Sequence, residues 1–489
     1  MNVLAIDQGT TSTKALVVGP DHRVLGEGRA PVSPRAVGPG LVEQDAQELL
    51  DSIVTAGRAA LRAAGGAPVG AVGIANQGET VVACDRASGR PLAPALSWQD
   101  RRAAPLAERL AADGAGARLT ELTGLPLDPY FSAPKLAWLA AEHPGAEILP
   151  IDAWIVRELT GRLVTDAATA SRTLLLDLDA VAWSAEACEL FGLSADALPE
   201  IADCAGDFGA TDAFDAGAPL PLTGLCVDQQ AALFAESCLA PGEAKCTYGT
   251  GAFLLAQAGA APVRSSAGLA ACVAWRLGGE AAWCLDGQVY TAGAAVEWLR
   301  RLGLVDGAAG LDAACAAAGG PTADRPLFVP GLAGLGAPFW APHARGGWSG
   351  LSLATGRDEL VAAVVEGIAA QVATLAQAMT ADLGRSPRAL RVDGGLTQSR
   401  ALMQAQADLL QAPVELYPSP DATALGMAAF ARLGAGAAAS VAEALPPWRP
   451  AAVFEPSIAA DEAAERLGRW RAAADALASL SSPPEGPPS

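Results

Sequence analysis

The sequence predicts an α/β fold made of two related domains that face each other. Three observations carry this prediction. A strand, a Gly/Thr-rich turn and a second strand open the chain, and the same device recurs about halfway along it. Helical and strand-like hydrophobic patterns alternate between and after the two devices. Apolar residues make up 51% and charged residues 18% of 489 residues, so a large core is available, and the length suggests two large domains.

The first device is Val3-Leu4-Ala5-Ile6, the turn Asp7-Gln8-Gly9-Thr10-Thr11-Ser12 and the run Ala15-Leu16-Val17-Val18. It reads as a β-hairpin with an acid and several hydroxyls at its tip. Ala46 to Ala64 has helical periodicity and stops at Gly65-Gly66; residues 69–75 follow as a buried strand. The second device is Ala244-Lys245-Cys246-Thr247, the turn Tyr248-Gly249-Thr250-Gly251 and the run 252–256. The repeat is short and by itself leaves internal duplication open. Thr355-Gly356-Arg357-Asp358 is expected to form a capping box ahead of a helix that presents Leu360, Val361, Val364, Val365, Ile368, Val372, Leu375 and Met379 on one face. Gly384 ends it. A strand over 389–392 then runs into Asp393-Gly394-Gly395, a turn that lets backbone N–H groups approach a ligand. No low-complexity linker separates the halves. The division is expected at 1–236 and 237–480, with 481–489 as a disordered tail.

Lys and Arg total 33 against 53 Asp and Glu, a formal charge of −20. A general nucleic-acid or anionic-membrane binder needs a basic surface to displace counterions, so neither class is expected. Phosphorylated small molecules stay open, because local backbone sites and metal ions bind them. The uncharged stretches 246–263 and 327–344 are broken by Gly, Pro or polar residues and do not read as membrane spans. The first residues reach Asp7 too early for a signal peptide. Nine scattered cysteines without CxxC spacing, beside three histidines, point to buried reduced thiols in a cytoplasmic protein and away from a zinc site.

Several groups of residues can carry chemistry. Gly9, Thr10 and Thr11 offer phosphate donors beside Asp7, which can hold a magnesium ion; the same residues also suit an ordinary hairpin turn. With Gly249-Thr250-Gly251 and Asp393-Gly394-Gly395 there are three Gly-containing turns after strands, which fits a nucleotide gripped between two domains. Asp228, in Val227-Asp228-Gln229-Gln230, stands at a strand-to-helix junction, where an acid either accepts a hydroxyl proton or caps the helix. Asn76-Gln77-Gly78-Glu79-Thr80 and Trp98-Gln99-Asp100-Arg101-Arg102 suit a polyhydroxylated ligand, with polar groups for hydroxyls and a ring for the C–H face. Core packing of Trp98 and a solvated Arg101-Arg102 face are the ordinary alternatives.

Together these segments resemble the FGGY family of carbohydrate kinases, and within it the glycerol kinases. The resemblance runs from Val3 to about Gly434. It rests on Ala5-Ile-Asp-Gln-Gly-Thr-Thr-Ser12, Leu41-Val-Glu-Gln-Asp45, Asn76-Gln-Gly-Glu-Thr80, Trp98-Gln-Asp-Arg-Arg102 and Thr123-Gly-Leu-Pro-Leu-Asp-Pro-Tyr-Phe-Ser132. Asp228-Gln-Gln-Ala-Ala-Leu-Phe234, Thr247-Tyr-Gly-Thr-Gly251, Ala292-Gly-Ala294, Phe328-Val-Pro330, Gly334-Leu-Gly-Ala-Pro338 and Val392-Asp-Gly-Gly395 follow in order.

The resemblance implies two actin-like (ribonuclease H-like) ATPase domains with the catalytic cleft between them, and ATP with Mg²⁺ as co-reactants. It implies that Asp228 is the catalytic base and that Asp7 is the acid near the metal. Thr10, Thr11, Lys14, Gly249, Thr250, Gly293, Gly394 and Gly395 match nucleotide-site positions, and the family often has Arg where Lys14 stands. Glu297 and Ser399 fall where Gln and Asn are usual beside the nucleotide. On the acceptor side Glu79, Trp98, Tyr130, Asp228, Gln229 and Phe253 match. Gly78 departs: the family member usually has Arg there, donating to a terminal hydroxyl. Losing such a charged donor costs about 1.5–3 kcal/mol, roughly ten- to a hundredfold in affinity. Either Gly78 opens the pocket to a longer polyol or sugar, or a substitute donor serves glycerol.

The segment 206–219 carries Asp207, Asp212 and Asp215 and no basic residue, so the fructose 1,6-bisphosphate inhibition of many bacterial relatives is not expected. The expected partners are a small polyol or sugar and further copies of the chain, as a dimer or tetramer. A conformationally driven actin-like ATPase is the reading from another class, and Glu79, Trp98, Tyr130 and Asp228 speak against it. A silent sensor is opposed by retention of Asp7, Thr250 and Asp228. Among kinases the runner-up is a ketose kinase of xylulokinase type, which usually shows Gly-Gln-Met-His where this chain has Asn76-Gln77-Gly78-Glu79.

Overall fold

A computed structural model of the protein describes residues 1–319 and 325–480; the expected tail over 481–489 lies outside them. Two large sheets organise the chain. In the first, strand Asn2–Gln8 pairs antiparallel with Ser12–Val18, which pairs antiparallel with Val24–Pro31. On its other side Asn2–Gln8 runs parallel to Val69–Asn76, and that strand runs parallel to Leu220–Val227. The second sheet repeats the plan. Ala244–Tyr248 pairs antiparallel with Ala252–Gly259, which pairs antiparallel with Glu280–Val289. Leu390–Asp393 and Val414–Leu416 extend it in parallel on the other side. The shared strand order and direction make the two hairpins equivalent parts of two equivalent sheets.

Local chemistry explains the elements that position the site. Helix Ala46–Ala63 starts at Asp45, whose carboxylate accepts from the N–H groups of Gln47 and Glu48. Its Ala56 and Ala60 lie directly on Gly28 and Gly26. A Cβ at Gly28 would stand 2.1 Å from the Ala56 carbonyl oxygen, so only glycine admits this approach of helix to strand. A smaller antiparallel sheet, Arg35–Gly38, Leu41–Gln44, Ala95–Leu96, Val81–Cys84 and Glu147–Pro150, is inserted into the first half and carries the turns that hold Glu79 and Trp98.

Helix Arg357–Leu383 spans the second half. By length and composition it is apolar enough to cross a membrane, but 83% of its most apolar window is buried inside the fold. The expected single apolar face is too narrow a description: Ala362, Ala363, Gly367 and Ala373 are buried as well. Its capping box also starts one residue later than the sequence suggests. The Gly356 N–H donates to Glu359, while the Thr355 hydroxyl accepts from Ser352 N–H. Gly384 ends the helix in the left-handed conformation.

Helix Ala422–Gly434 belongs to the second half of the sequence but packs on the first sheet. Its Gly426 abuts Ala231, and its Met427 and Ala431 abut Gly73 and Gly224. The Thr223 hydroxyl donates to the Ala431 carbonyl at 2.8 Å. All nine cysteines are unpaired, and eight are buried.

Candidate active site

The two hairpin tips and the turn after strand Val69–Asn76 surround one cavity of about 320 Å³. A second cavity, about 200 Å³ and lined by residues of the second half, shares none of its residues. In the first tip, the Gly9 N–H donates to the Ser12 carbonyl at 3.1 Å, which leaves Thr10 and Thr11 at the mouth. In the second, the N–H groups of Ala292 and Ala294 donate to Thr250 O, and that of Gly293 to Gly249 O, each at 3.0 Å. A Cβ on Gly293 would lie 2.5 Å from Gly249 O. Gly394 has φ +95°, and a Cβ there would lie 2.5 Å from Tyr248 O. Both positions therefore require glycine to hold the second hairpin against its neighbours. Gly395 faces open space.

Asp228 is the first residue of helix Asp228–Ala235, which follows the N-cap Val227, a residue without a capping side chain. Asp228 Oδ1 accepts from the adjacent Gln229 N–H at 2.6 Å, and the residue lines the cavity. Burial and the Glu79 charge raise it to about 6, while Lys245 opposes the rise. Lys245, fully buried in the second hairpin, donates to Gln229 Oε1 at 2.6 Å and to Thr247 Oγ1 at 2.8 Å, so it orients the residue beside the acid.

The wall opposite is aromatic and acidic. Trp98 meets Tyr130 and Phe253 edge-on, at centroid distances of 5.8 and 6.3 Å. Its indole N–H donates to Thr10 Oγ1 at 2.9 Å. Glu79 is buried with φ +57°, a strained conformation for a non-glycine residue, held by the tight turn in which Thr80 N–H donates to Gly78 O at 2.7 Å. Gly78 lines the cavity, and a Cβ there would sit 3.1 Å from Val227 Cγ2. Lys135, fully buried, donates to the carbonyls of Pro129, Tyr130 and Phe131 and so fixes the loop that carries the Tyr130 ring.

Two cavity residues had no signal in sequence reasoning. Arg172 donates to Glu79 Oε1 at 2.6 Å and to Asp286 Oδ2 at 2.7 Å. All three are buried. Arg172 lies in a polar turn with no local motif, and Asp286 is one acid inside a strand, so only the folded chain brings them together. Asp421 was missed as well. It is ion-paired with Lys14, whose ammonium is also 3.4 Å from Glu27. Lys14 is thus engaged by carboxylates beside the first hairpin. Glu297 is exposed and paired with Arg300 on a helix surface. Ser399 is buried; its hydroxyl donates to Asp312 and accepts from Leu402 N–H, so it caps helix Arg400–Leu410. Neither side chain lines the cavity.

A divalent cation fits the acids beside the first hairpin tip. Asp7 is pushed up to about 7 by burial and by the charges of Asp228, Asp421 and Asp393, with Lys14 opposing. Asp393 Oδ1 is buried without a partner. A site with more carboxylate charge than its cations offset, and with an unused carboxylate oxygen, matches the oxygen-donor chemistry of Mg²⁺.

Paired sheets, two Gly/Thr hairpins and a buried acid facing one cavity define a two-domain phosphotransferase that acts on a hydroxyl acceptor. The chain belongs to the FGGY family of carbohydrate kinases: residues 2–235 match its N-terminal domain and residues 244–435 its C-terminal domain. Glycerol kinase from Bordetella parapertussis is 42% identical, covering 99% of this chain and 98% of that protein. The crystal structure of Plasmodium falciparum glycerol kinase with ADP matches with a TM-score of 0.90 at 30% identity, over 97% of this chain and 98% of that one. That of a xyloylose kinase from Brucella ovis matches with 0.87 at 27% identity, over 98% of this chain and 100% of that one. The protein is an ATP-dependent carbohydrate kinase of glycerol-kinase type with the actin-like ATPase fold, acting on a hydroxyl group.

Proposed function

We propose that the chain transfers the γ-phosphoryl group of ATP to a primary hydroxyl of glycerol or a related small neutral polyol, with Asp228 as general base. One observation carries this reading: Asp228 lines the same cavity as Thr10 and Thr250 on one side and Glu79, Trp98 and Tyr130 on the other. As the acceptor oxygen bonds to phosphorus, its proton passes to Asp228 and the bond to the departing ADP oxygen breaks. Positioning and charge neutralisation supply most of the rate in such a transfer. Thr10, Thr11, Thr250 and the tip N–H groups are the phosphate donors in this reading, and Gly293, Gly394 and Gly395 shape the nucleotide site. Asp7, with Asp393 and Asp421 nearby, would hold Mg²⁺, which neutralises phosphate charge when bound. Three carboxylates, Glu79, Asp228 and Asp286, face one guanidinium in the acceptor wall, which favours a neutral acceptor over an anionic one.

A second reading, a longer polyol or a ketose of erythritol, xylitol or xylulose type, is favoured by Gly78, which puts no donor where the family usually has Arg. The unpaired cysteines support a reducing, cytoplasmic compartment. The test is ADP release with Mg-ATP across glycerol, erythritol, threitol, xylitol, ribitol, dihydroxyacetone, xylulose, ribulose and gluconate. Turnover of a neutral acceptor that falls about 10²–10⁴-fold in Asp228→Asn, with KM little changed, supports the reading. An undiminished rate in that variant removes Asp228 as base.

A further inference from the structure

Asp286 is a buried carboxylate with work left undone. Its Oδ2 accepts from Arg172 at 2.7 Å and from Gln288 Nε2 at 3.0 Å. Its Oδ1 is buried without a partner, although the residue borders the acceptor cavity. Leaving a buried carboxylate oxygen unpaired is costly, so such an atom marks a place where a ligand or a water donates. Strand pairing sets its direction. Phe253 opposes Gln288 and Leu255 opposes Asp286, so Asp286 stands on the same sheet face as Phe253, one diagonal along.

Arg172 supplies the complementary group. Its Nε is taken by Glu79 and its Nη1 by Asp286 and the Cys272 sulfur. Its Nη2 makes one long contact, 3.5 Å to the Tyr130 hydroxyl. Arg172 and Asp286, each with a polar group short of partners, therefore border the same cavity. The carboxylates of Glu79 and Asp286 fix the guanidinium plane from two sides.

We infer that Arg172 and Asp286 form a subsite that reads one hydroxyl of the acceptor, and reads it as an alcohol rather than a carbonyl. An alcohol satisfies both groups at once: its O–H donates to Asp286 Oδ1, and its oxygen accepts from Arg172 Nη2. A carbonyl oxygen only accepts, so it leaves Asp286 Oδ1 buried and unpaired. The subsite also provides the donor that Gly78 lacks, from another part of the chain. This rests on the kinase reading above and narrows its substrate class to fully reduced polyols, against the ketoses.

The experiment compares acceptors that differ only as alcohol and ketone, glycerol with dihydroxyacetone and xylitol with xylulose, in the wild type and in Asp286→Asn. The wild type is expected to favour the alcohol of the better-used pair by tenfold or more in kcat/KM, through KM. In Asp286→Asn, whose amide can donate to a carbonyl, that preference shrinks at least fivefold, while the KM for ATP stays within twofold. A wild type that prefers the ketone, or a variant that loses both partners equally, overturns the inference and leaves the kinase reading standing. Turnover of no acceptor overturns both. If the variant does not fold, thermal stabilisation of the wild type by glycerol against dihydroxyacetone, and by xylitol against xylulose, decides: equal stabilisation within both pairs also overturns the inference.

Discussion

The Trp98 indole N–H donates to the Thr10 hydroxyl oxygen at 2.9 Å, tying the ring that walls the acceptor side of the cavity to the tip of the first hairpin. Trp98→Phe keeps a ring and removes the bond. About one net hydrogen bond is lost, so kcat/KM should fall roughly tenfold, with KM rising for both acceptor and ATP. Steady-state kinetics with each substrate varied checks this. A change confined to the acceptor KM would show that the bond does not link the two sides.

The rate should depend on pH through Asp228. Only the carboxylate can take a proton, and burial with the Glu79 charge places its titration at about 6. The acceptor kcat/KM is expected to rise with pH through about 6 and level off above 7. A profile flat from pH 5 to 7 would assign the base elsewhere.

Stability should move the opposite way at Asp152. Burial and the Asp166 charge raise its carboxyl to about 7, Oδ2 accepts from Thr165, and Oδ1 is buried unpaired. The folded chain holds a proton there that the unfolded chain releases near 4. Its contribution is full below that value and is lost as pH rises through about 7. Asp152→Asn should therefore gain a few degrees of melting temperature at pH 8 relative to wild type, and less at pH 5. Equal differences at both pH values would contradict the buried proton.

Gly78→Arg tests the acceptor pocket. The backbone at Gly78 is not left-handed, and a Cβ needs Val227 to yield by a few tenths of an ångström, so the side chain is admissible. Because Arg172 already borders the pocket as a donor, the expected outcome is a KM for glycerol changed by less than about threefold; a fall of about tenfold or more, without a gain for longer acceptors, would show that the pocket lacks the donor. Unchanged glycerol kinetics would mean that the position does not set acceptor choice.

The hairpins, Asp228 and Trp98 were legible because their signals are local: Gly and Thr at a turn between apolar strands, an acid where a strand becomes a helix, a ring among polar residues; Tyr130 and Phe253 came only from the resemblance. Arg172 and Asp286 lie 114 positions apart in sequence, and neither carries a local pattern, so their ion pair exists only as tertiary structure. Resemblance placed Ser399 beside the nucleotide, yet its hydroxyl is occupied in capping a helix. The capping box slipped by one residue because Gly356, without a side chain, still offers the N–H that Glu359 accepts. No feature of the sequence told on which sheet helix Ala422–Gly434 would lie.

That helix has a consequence for how the protein is made. A ribosome delivers residues in order, and the sheet surface around Gly73 and Gly224 emerges long before the helix that covers it. Until about residue 434 has left the exit tunnel, the nascent first half presents a bare apolar face. Neither half is then a self-sufficient translation product, and a truncation that removes the helix strips a layer from the sheet built by the first half.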